Sequence, residues 1–425
     1  MWDKVEQIWK TPDLRNNILF VLLALAIFRL FAHVPIPGVD VGALRSFFAS
    51  NQFFGLLNIF SGGGLQNFSV VMLGVGPYIT ASIIIQLLTM IIPQWEEMSK
   101  EGEAGQQKIN QYTRWLTVPL CLVQAYSFIV LLRSQSGLGL IQGLQGWQLV
   151  TSLVTISAGT MLLMWLGEII SERKIGNGIS LLIFAGIVAS LPKYIQETLA
   201  TYDPSQLFNI IAFIVIAVIT VVAVVVVTEA QRNIPVTYAR MVRGTQSLGG
   251  ATSYLPLRLL QAGVIPIIFA ISVILFPPMI AQFFIKAQAA WLVAAAEFTI
   301  NLFQNQLFYG LFYFLLVFGF TYFYTAVVFK PEQVADNLQK NGGFIPGIRP
   351  GKSTIDYLSQ TMNRVVLPGA VFLSLIAVLP LVLKYFSGSQ NLVIGGTSLL
   401  IVVSVVIDTV RQINAQLVMR DYDEL

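Results

Sequence analysis

Apolar residues run along the chain in long blocks separated by short polar connections. Ten blocks are long enough to cross a bilayer, at approximately 16–37, 68–92, 114–133, 150–169, 177–200, 207–228, 259–283, 305–329, 364–386 and 393–413, since about 20 apolar residues in a helix span about 30 Å of hydrocarbon. The first block is too long for a signal peptide and lacks a small-residue cleavage site. Ahead of it, Trp2, Val5, Ile8 and Trp9 fall on one helical face among charges, the pattern of a short helix lying on a membrane surface. The periodicity breaks inside the second apolar region. Between Phe53 and Phe68 the sequence FFGLLNIFSGGGLQNF predicts an apolar helix of roughly ten residues, too short to span. A flexible Gly62–Gly64 run follows, then a fresh transmembrane pattern. Such a segment lies at an interface or folds back into a protein-lined cavity, where non-helical backbone is tolerated at membrane depth. A short hinged helix beside a cavity suggests a gate.

Composition and charge sharpen this picture. Of 425 residues, 56% are hydrophobic and 11% charged, with a mean hydropathy of +0.74, where a soluble domain carries about 25% charged residues. The chain is a polytopic membrane protein. Its single cysteine, Cys121, has no partner within the chain. Ten spans put both termini on one side, and 19 of the 25 Lys and Arg residues fall on that side. Five, Arg45, Arg133, Lys193, Lys286 and Lys384, fall on the other, and Arg29 lies within the first span. The asymmetry predicts cytoplasmic termini. The two longest cytoplasmic connections, about 229–258 and 330–363, are polar and basic. Two halves of five spans have opposite orientations, the arrangement of inverted-repeat transporters and channels.

Candidate pore elements recur at span ends. The second span contains GVGPYITASIIIQLL, where Val75 and Ile79 share a face to which Gln86 returns, with Ser82 beside it. Gly74, Gly76 and Pro77 loosen its outer end, a break that also serves helix packing. The fifth span opens with KIGNGISLLIF, carrying Ile179 and Ile183; the seventh carries Ile267 and Ile268 after Pro266; the tenth leads through GGTSLLIVV to Ile401. Each isoleucine alone reads as facing lipid or a neighbouring helix, and composition selects no ring. Only Arg29 and His33 approach the deep ionisable residues that mark ion pathways, which argues against ion-coupled transport. One histidine, no phosphate-cradling loop ending in Lys-Ser/Thr and no metal-ligand cluster leave no enzyme signature and call for no cofactor. The rival class is an inverted-repeat transporter for small solutes.

HVPIPGVD, FSGGGLQNFS, GPYITASIIIQLL, EGEAGQQKINQYTR, MWLGEIISERKIGNGISLLIFAGIVASLP, LPLRLLQAGVIPIIFA, VADNLQKNGGFIPGIRPGKST and GGTSLLIVVSVVIDT, in this order and context, closely resemble the SecY family of protein-conducting channels across nearly the whole chain. The resemblance implies an all-α polytopic fold of ten transmembrane helices in two inverted five-helix halves, 1–206 and 207–425, around an hourglass pore. It makes the segment at about 54–67 a re-entrant plug, including Leu57, Ile59, Phe60, Gly62, Gly63 and Gly64. The constriction positions map to Val75, Ile79, Ile179, Ile183, Ile268 and Ile401, an apolar collar that excludes water when narrow. Because Ile179 and Ile183 lie near the cytoplasmic end of the fifth helix, that end must be recessed in a funnel for them to join the collar. A lateral gate between spans two and three and spans seven and eight is implied, with Thr80, Ser82, Gln86 and Thr89 as its polar residues on span two.

The same resemblance implies a translocase subunit that moves unfolded secretory polypeptides across the membrane and releases apolar segments into lipid. Its implied partners are SecE-type and SecG-type subunits, the SecA motor ATPase, the ribosome, signal peptides and nascent polypeptides, and membrane lipids. Arg349, bracketed by Pro346–Gly347 and Pro350–Gly351, is the leading docking residue, with Arg240 and Arg243 in the other loop. The implied location is a bacterial plasma membrane or a thylakoid membrane.

Overall fold

The computed structural model describes residues 2–50, 58, 61–134, 146–200, 207–238, 241–243, 246–248, 252–261, 263, 265–285, 289–387 and 395–423. Its elements in chain order begin with α1 (Trp2–Lys10), α2 (Pro12–Phe31), α3 (Val41–Ser50), α4 (Gly76–Ile91), α5 (Pro93–Lys100), α6 (Glu103–Ser134), α7 (Trp147–Glu172), α8 (Gly178–Ala200) and α9 (Leu207–Glu229). Four strands follow, β1 (Gln231–Tyr238), β2 (Met241–Arg243), β3 (Gln246–Leu248) and β4 (Thr252–Arg258). The chain then runs through α10 (Ile265–Phe284), α11 (Ala290–Gln304), α12 (Gln306–Val328), α13 (Pro331–Lys340), β5 (Gly343–Phe344), α14 (Lys352–Ser387) and α15 (Gly395–Asp423).

Among the described residues, six helices are long and apolar enough to cross a membrane, and α4 with α5 forms a seventh, bent candidate. Three shorter apolar stretches, Gly178–Pro192, Ile214–Glu229 and Ile265–Pro278, stand where the sequence places spans five, six and seven. The bend of 103° between α4 and α5 has a local cause. Ile92 precedes Pro93 and sits at φ −98°, ψ 112°, because a proline ring clashes with a helical predecessor. Pro93 then opens α5, where its missing N–H costs nothing.

Three apolar clusters organise the interior. The largest draws buried residues from α2, α4, α7, α8, α9, α10, α12, α14 and α15. A second, around Phe68, Leu44, Met72, Ile129 and Ile156, sits at the end of the bundle opposite the termini. The third lies under a small sheet of order β4-β1-β5, where Ile234, Val236, Leu257 and Ile345 pack on Leu358, Met362 and Val366 of α14. Strands β1 and β4 pair antiparallel over seven residues, Gln231 opposite Arg258 through Thr237 opposite Thr252. Strand β5 adds to the far edge of β1, with Thr237 opposite Phe344 and Tyr238 opposite Gly343. The fold is helical as expected, and the sheet and helix α11 are additions to the sequence reading.

Candidate functional site

Four helices bring the predicted collar together. Val75 caps α4 and Ile79 follows one turn on; α8 contributes Ile183, α10 Ile268 and α15 Ile401. All five are buried in the one central apolar cluster, and Ile179 is half-buried against it. The start of α8 is set by two close backbones. A Cβ on Gly178 would lie 1.9 Å from the carbonyl oxygen of Gly167 in α7, so only glycine lets the two helices meet there. Ser171 stitches the same joint, its Oγ donating to Gly167 O and accepting from Gly178 N, each at 2.9 Å. Ile179 packs its Cδ1 on Gly167.

The end of α8 that carries these isoleucines borders a cavity of about 280 Å³, lined by Asn177, Ser180, Val405, Asp408, Thr409 and Arg411 among others. Arg411 pairs with Glu229 at 2.7 Å and donates to Thr228 O at 3.0 Å, fastening α15 to α9. Gln416 Nε2 donates to Lys174 O at 2.7 Å, fastening α15 to the turn between α7 and α8.

Residues 61–75 are not a helix. They form consecutive turns, and the helix expected from residue 68 begins only at Gly76. Phe68 at φ 47° and Gly74 at φ 58° interrupt any regular helix. Helix α4 has 16 residues and so covers about 24 Å, with the remaining depth filled by irregular chain buried in protein. Ile36 N donates to Phe68 O at 2.9 Å and Val70 N to Val34 O at 3.1 Å. Asn67 donates to Ala32 O at 3.2 Å and accepts from Arg45 at 2.8 Å. Gly62, at φ 67°, fits against the Phe28 ring and Gly186, and its carbonyl accepts from Arg29 Nη1. Gly63 and Gly64 are buried beside it. Leu57, Ile59 and Phe60 lie outside the described residues.

The predicted gate residues line α4. Thr80 is buried and donates to Gly76 O at 3.1 Å, Thr89 donates to Gln86 O at 2.7 Å, and Ser82 is half-buried. Gln86 Oε1 is buried and, among the described residues, has no hydrogen-bond partner. Helix α10 packs against both α4 and α6, and Phe269 on α10 meets Phe320 and Tyr324 of α12 edge-on, at 6.1 and 5.8 Å between ring centres. Helix α10 therefore meets α4 and α6 directly, with α12 packed behind it.

Arg349 is exposed on a loop anchored by buried Ile345. Ile348 N bonds Ile345 O at 3.0 Å across Pro346–Gly347, with Gly347 at φ 82°, as in a type II turn. Thr354 Oγ1 holds Arg349 O at 2.9 Å. Among the described residues, no ion pair occupies its guanidinium. Arg243 lies on β2, and Arg240 lies outside the described residues.

A family model described as SecY matches residues 69–410. This chain belongs to the SecY family. The protein translocase subunit SecY of Streptomyces galbus is 43% identical over 433 residues, covering 98% of this chain and 97% of that one. Its counterpart in Mycobacterium tuberculosis (strain ATCC 25618 / H37Rv) is 42% identical over 432 residues, covering 97% of each. Among solved structures, "The structure of a protein conducting channel" matches with a TM-score of 0.64 at 19% identity, over 93% of this chain and 91% of that one. Sec61 in the canine ribosome-channel complex from the endoplasmic reticulum matches with a TM-score of 0.59 at 18% identity, over the same shares.

SecY-family membership makes the chain an integral membrane protein of a channel family, not an enzyme. Two functional features escaped sequence reasoning. Arg29 stood out as a cation inside the first span, yet its partner Gly62, 33 residues on, is set by the tertiary fold. The sheet joining the two basic loops had a signal, because Ile234, Val236 and Tyr238 alternate with polar residues or proline, the period of a half-buried strand.

Proposed function

We propose that this chain forms the pore of a bacterial protein translocase, conducting unfolded polypeptides through an apolar collar and releasing apolar segments sideways into lipid. The observation that carries the reading is the burial of Val75, Ile79, Ile183, Ile268 and Ile401, from four helices distant in sequence, in one apolar cluster. A narrow apolar constriction stops ions by dewetting, and branched aliphatic side chains repack around a passing chain without demanding a hydrogen bond. Residues 1–206 and 207–425 form the two halves. The segment around Gly62 is the plug, and the α4/α6–α10/α12 seam is the lateral gate, with Thr80, Ser82, Gln86 and Thr89 on its α4 side.

The basic loops form the cytoplasmic docking face, with Arg349 as its principal contact and Arg240 and Arg243 as further ones. The excess of Lys and Arg on the side of the termini supports a cytoplasmic location for both, in a bacterial plasma membrane. Energy comes from a SecA-type ATPase or a translating ribosome, and SecE-type and SecG-type subunits complete the complex. A ribosome partner is supported by the canine structural relative, described in a ribosome-channel complex.

The test is a crosslinking scan with a stalled translocation intermediate in reconstituted complex. Photoreactive probes replace Ile79, Ile183, Ile268 and Ile401 in turn, with lipid-facing controls on the same helices. Adducts to the stalled polypeptide are expected from these four sites and not from the controls. A productive stall with adducts at none of them returns the isoleucines to ordinary packing and reopens the small-solute transporter.

A further inference from the structure

Helix α11 (Ala290–Gln304) joins α10 to α12 at their ends remote from the sheet, since β4 precedes α10 and β5 follows α12. Its 15 residues cover about 22 Å, too short to span a bilayer. Its surface divides into three strips. Ala296 is buried and Ile300 half-buried, and Phe303 meets Phe308 and Phe312 of α12 edge-on, at 5.5 and 5.7 Å between ring centres. That strip faces protein. Glu297, Asn301 and Gln304, at i, i+4 and i+7, are all exposed and polar, a strip suited to water. Trp291, Ala295, Phe298 and Leu302 share the third side, at i, i+4, i+7 and i+11, and are apolar throughout. Trp291 is 71% exposed and Phe298 68%, more aromatic surface than water alone accounts for.

The surroundings of that strip favour lipid. Asn305 closes α11 and caps α12, its side chain accepting from Leu307 N at 3.0 Å. Leu307 opens a stripe of exposed leucines, continued by Leu311 and Leu315, on a helix long and apolar enough to cross a membrane. The bilayer therefore begins within one turn of the end of α11. Glu297 is the single charge in the helix, which leaves little for a polar protein partner to recognise. Tryptophan, with an apolar ring and one N–H, is the side chain suited to the headgroup level.

We propose that α11 is an interfacial anchor. Its Trp291–Phe298 strip seats in the leaflet on that side, at the boundary of headgroups and acyl chains, while Glu297, Asn301 and Gln304 stay in water. The seat itself needs only a membrane-spanning fold. On the channel reading above, α10 and α12 form one side of the lateral gate, so the anchor sets the depth at which that side stands in the bilayer.

The test is spin-label accessibility in the complex reconstituted into phosphatidylcholine–phosphatidylglycerol vesicles. Labels are placed one at a time by W291C, F298C, E297C, N301C and L311C in a C121S background. Collisions are measured with oxygen, which concentrates in lipid, and with a water-soluble nickel chelate. The oxygen-to-nickel ratio at 291 and 298 should exceed that at 297 and 301 severalfold, at a depth of about 5–10 Å into the headgroup boundary and shallower than 311. Where W291C does not assemble, A295C on the same strip is read in its place. Nickel collisions at 298 equal to those at 297 would put the strip in water and overturn the anchor. Few collisions with either reagent at 291 and 298 would put the strip against a protein subunit, which overturns it equally.

Discussion

Replacing Gly62 with alanine tests the seal by sterics alone. The new Cβ would lie 2.5 Å from Phe28 Cζ and 3.1 Å from Gly186 Cα, at a backbone φ of 67°. The left-handed backbone costs a residue with a Cβ about 1–2 kcal/mol. Forcing a methyl against the buried Phe28 ring adds about 1–3 kcal/mol of overpacking. Together they destabilise the seated hinge by about 2–5 kcal/mol, and at about 1.4 kcal/mol per tenfold this raises idle opening roughly thirtyfold at the low end and several thousandfold at the high end. Gly63→Ala separates the two causes. Gly63 sits at φ 82° with only Gln66 Nε2 near, at 3.9 Å, so it keeps the strain and loses the clash, for roughly a five- to thirtyfold rise. The assay is single-channel recording of the reconstituted complex without substrate, with assembly checked by preprotein translocation. If G62A leaks no more than G63A, the Phe28 contact does not hold the hinge. If neither leaks more than the wild type, the segment is not the seal.

Two further substitutions probe the seam and the docking loop. Gln86→Leu removes a buried carbonyl oxygen that has no partner among the described residues and should stabilise the closed seam by about 1–3 kcal/mol. Translocation of preproteins with weakly apolar signal segments should then fall about fivefold or more, and unchanged rates would show that Gln86 is satisfied in the resting channel. Arg349→Glu places an acid on the exposed Pro-Gly loop and should lower motor- or ribosome-driven translocation about tenfold or more, since like charges across an interface cost several kcal/mol. Insertion of the chain itself should be unaffected, and wild-type rates at low salt would remove Arg349 from the docking surface.

The fold was legible where one segment settles its own environment. Apolar runs marked the spans, whereas the 103° bend at Ile92–Pro93 emerges only in the folded chain. The second span was read as helical from residue 68, but Phe68 and Gly74 take positive φ and the helix waits for Gly76. Hydropathy cannot distinguish irregular chain buried in protein from helix buried in lipid, since both are apolar. Helix α11 was missed because Ala290–Gln304 is modestly apolar and stands between two stronger runs. The collar shows the other boundary. Val75, Ile79, Ile183, Ile268 and Ile401 look like any aliphatic residues in a membrane chain, and periodicity could pair Val75 with Ile79 but could not bring α4 to α15. Family resemblance made that selection, and the packing brought five of the residues into one buried cluster.

The antiparallel contact of β1 with β5 joins two loops separated by more than 100 residues. Gly343 lies beneath the Tyr238 ring, where an added Cβ would come within 2.9 Å of the ring edge. A bulkier residue at one position therefore demands a smaller one at the other, so the two loops are constrained to evolve as a pair. Chimaeras that exchange one loop between relatives should lose the shared edge, and grafts that carry both should keep it. A force applied to either loop reaches the other through backbone bonds, so the two basic loops move as a single handle.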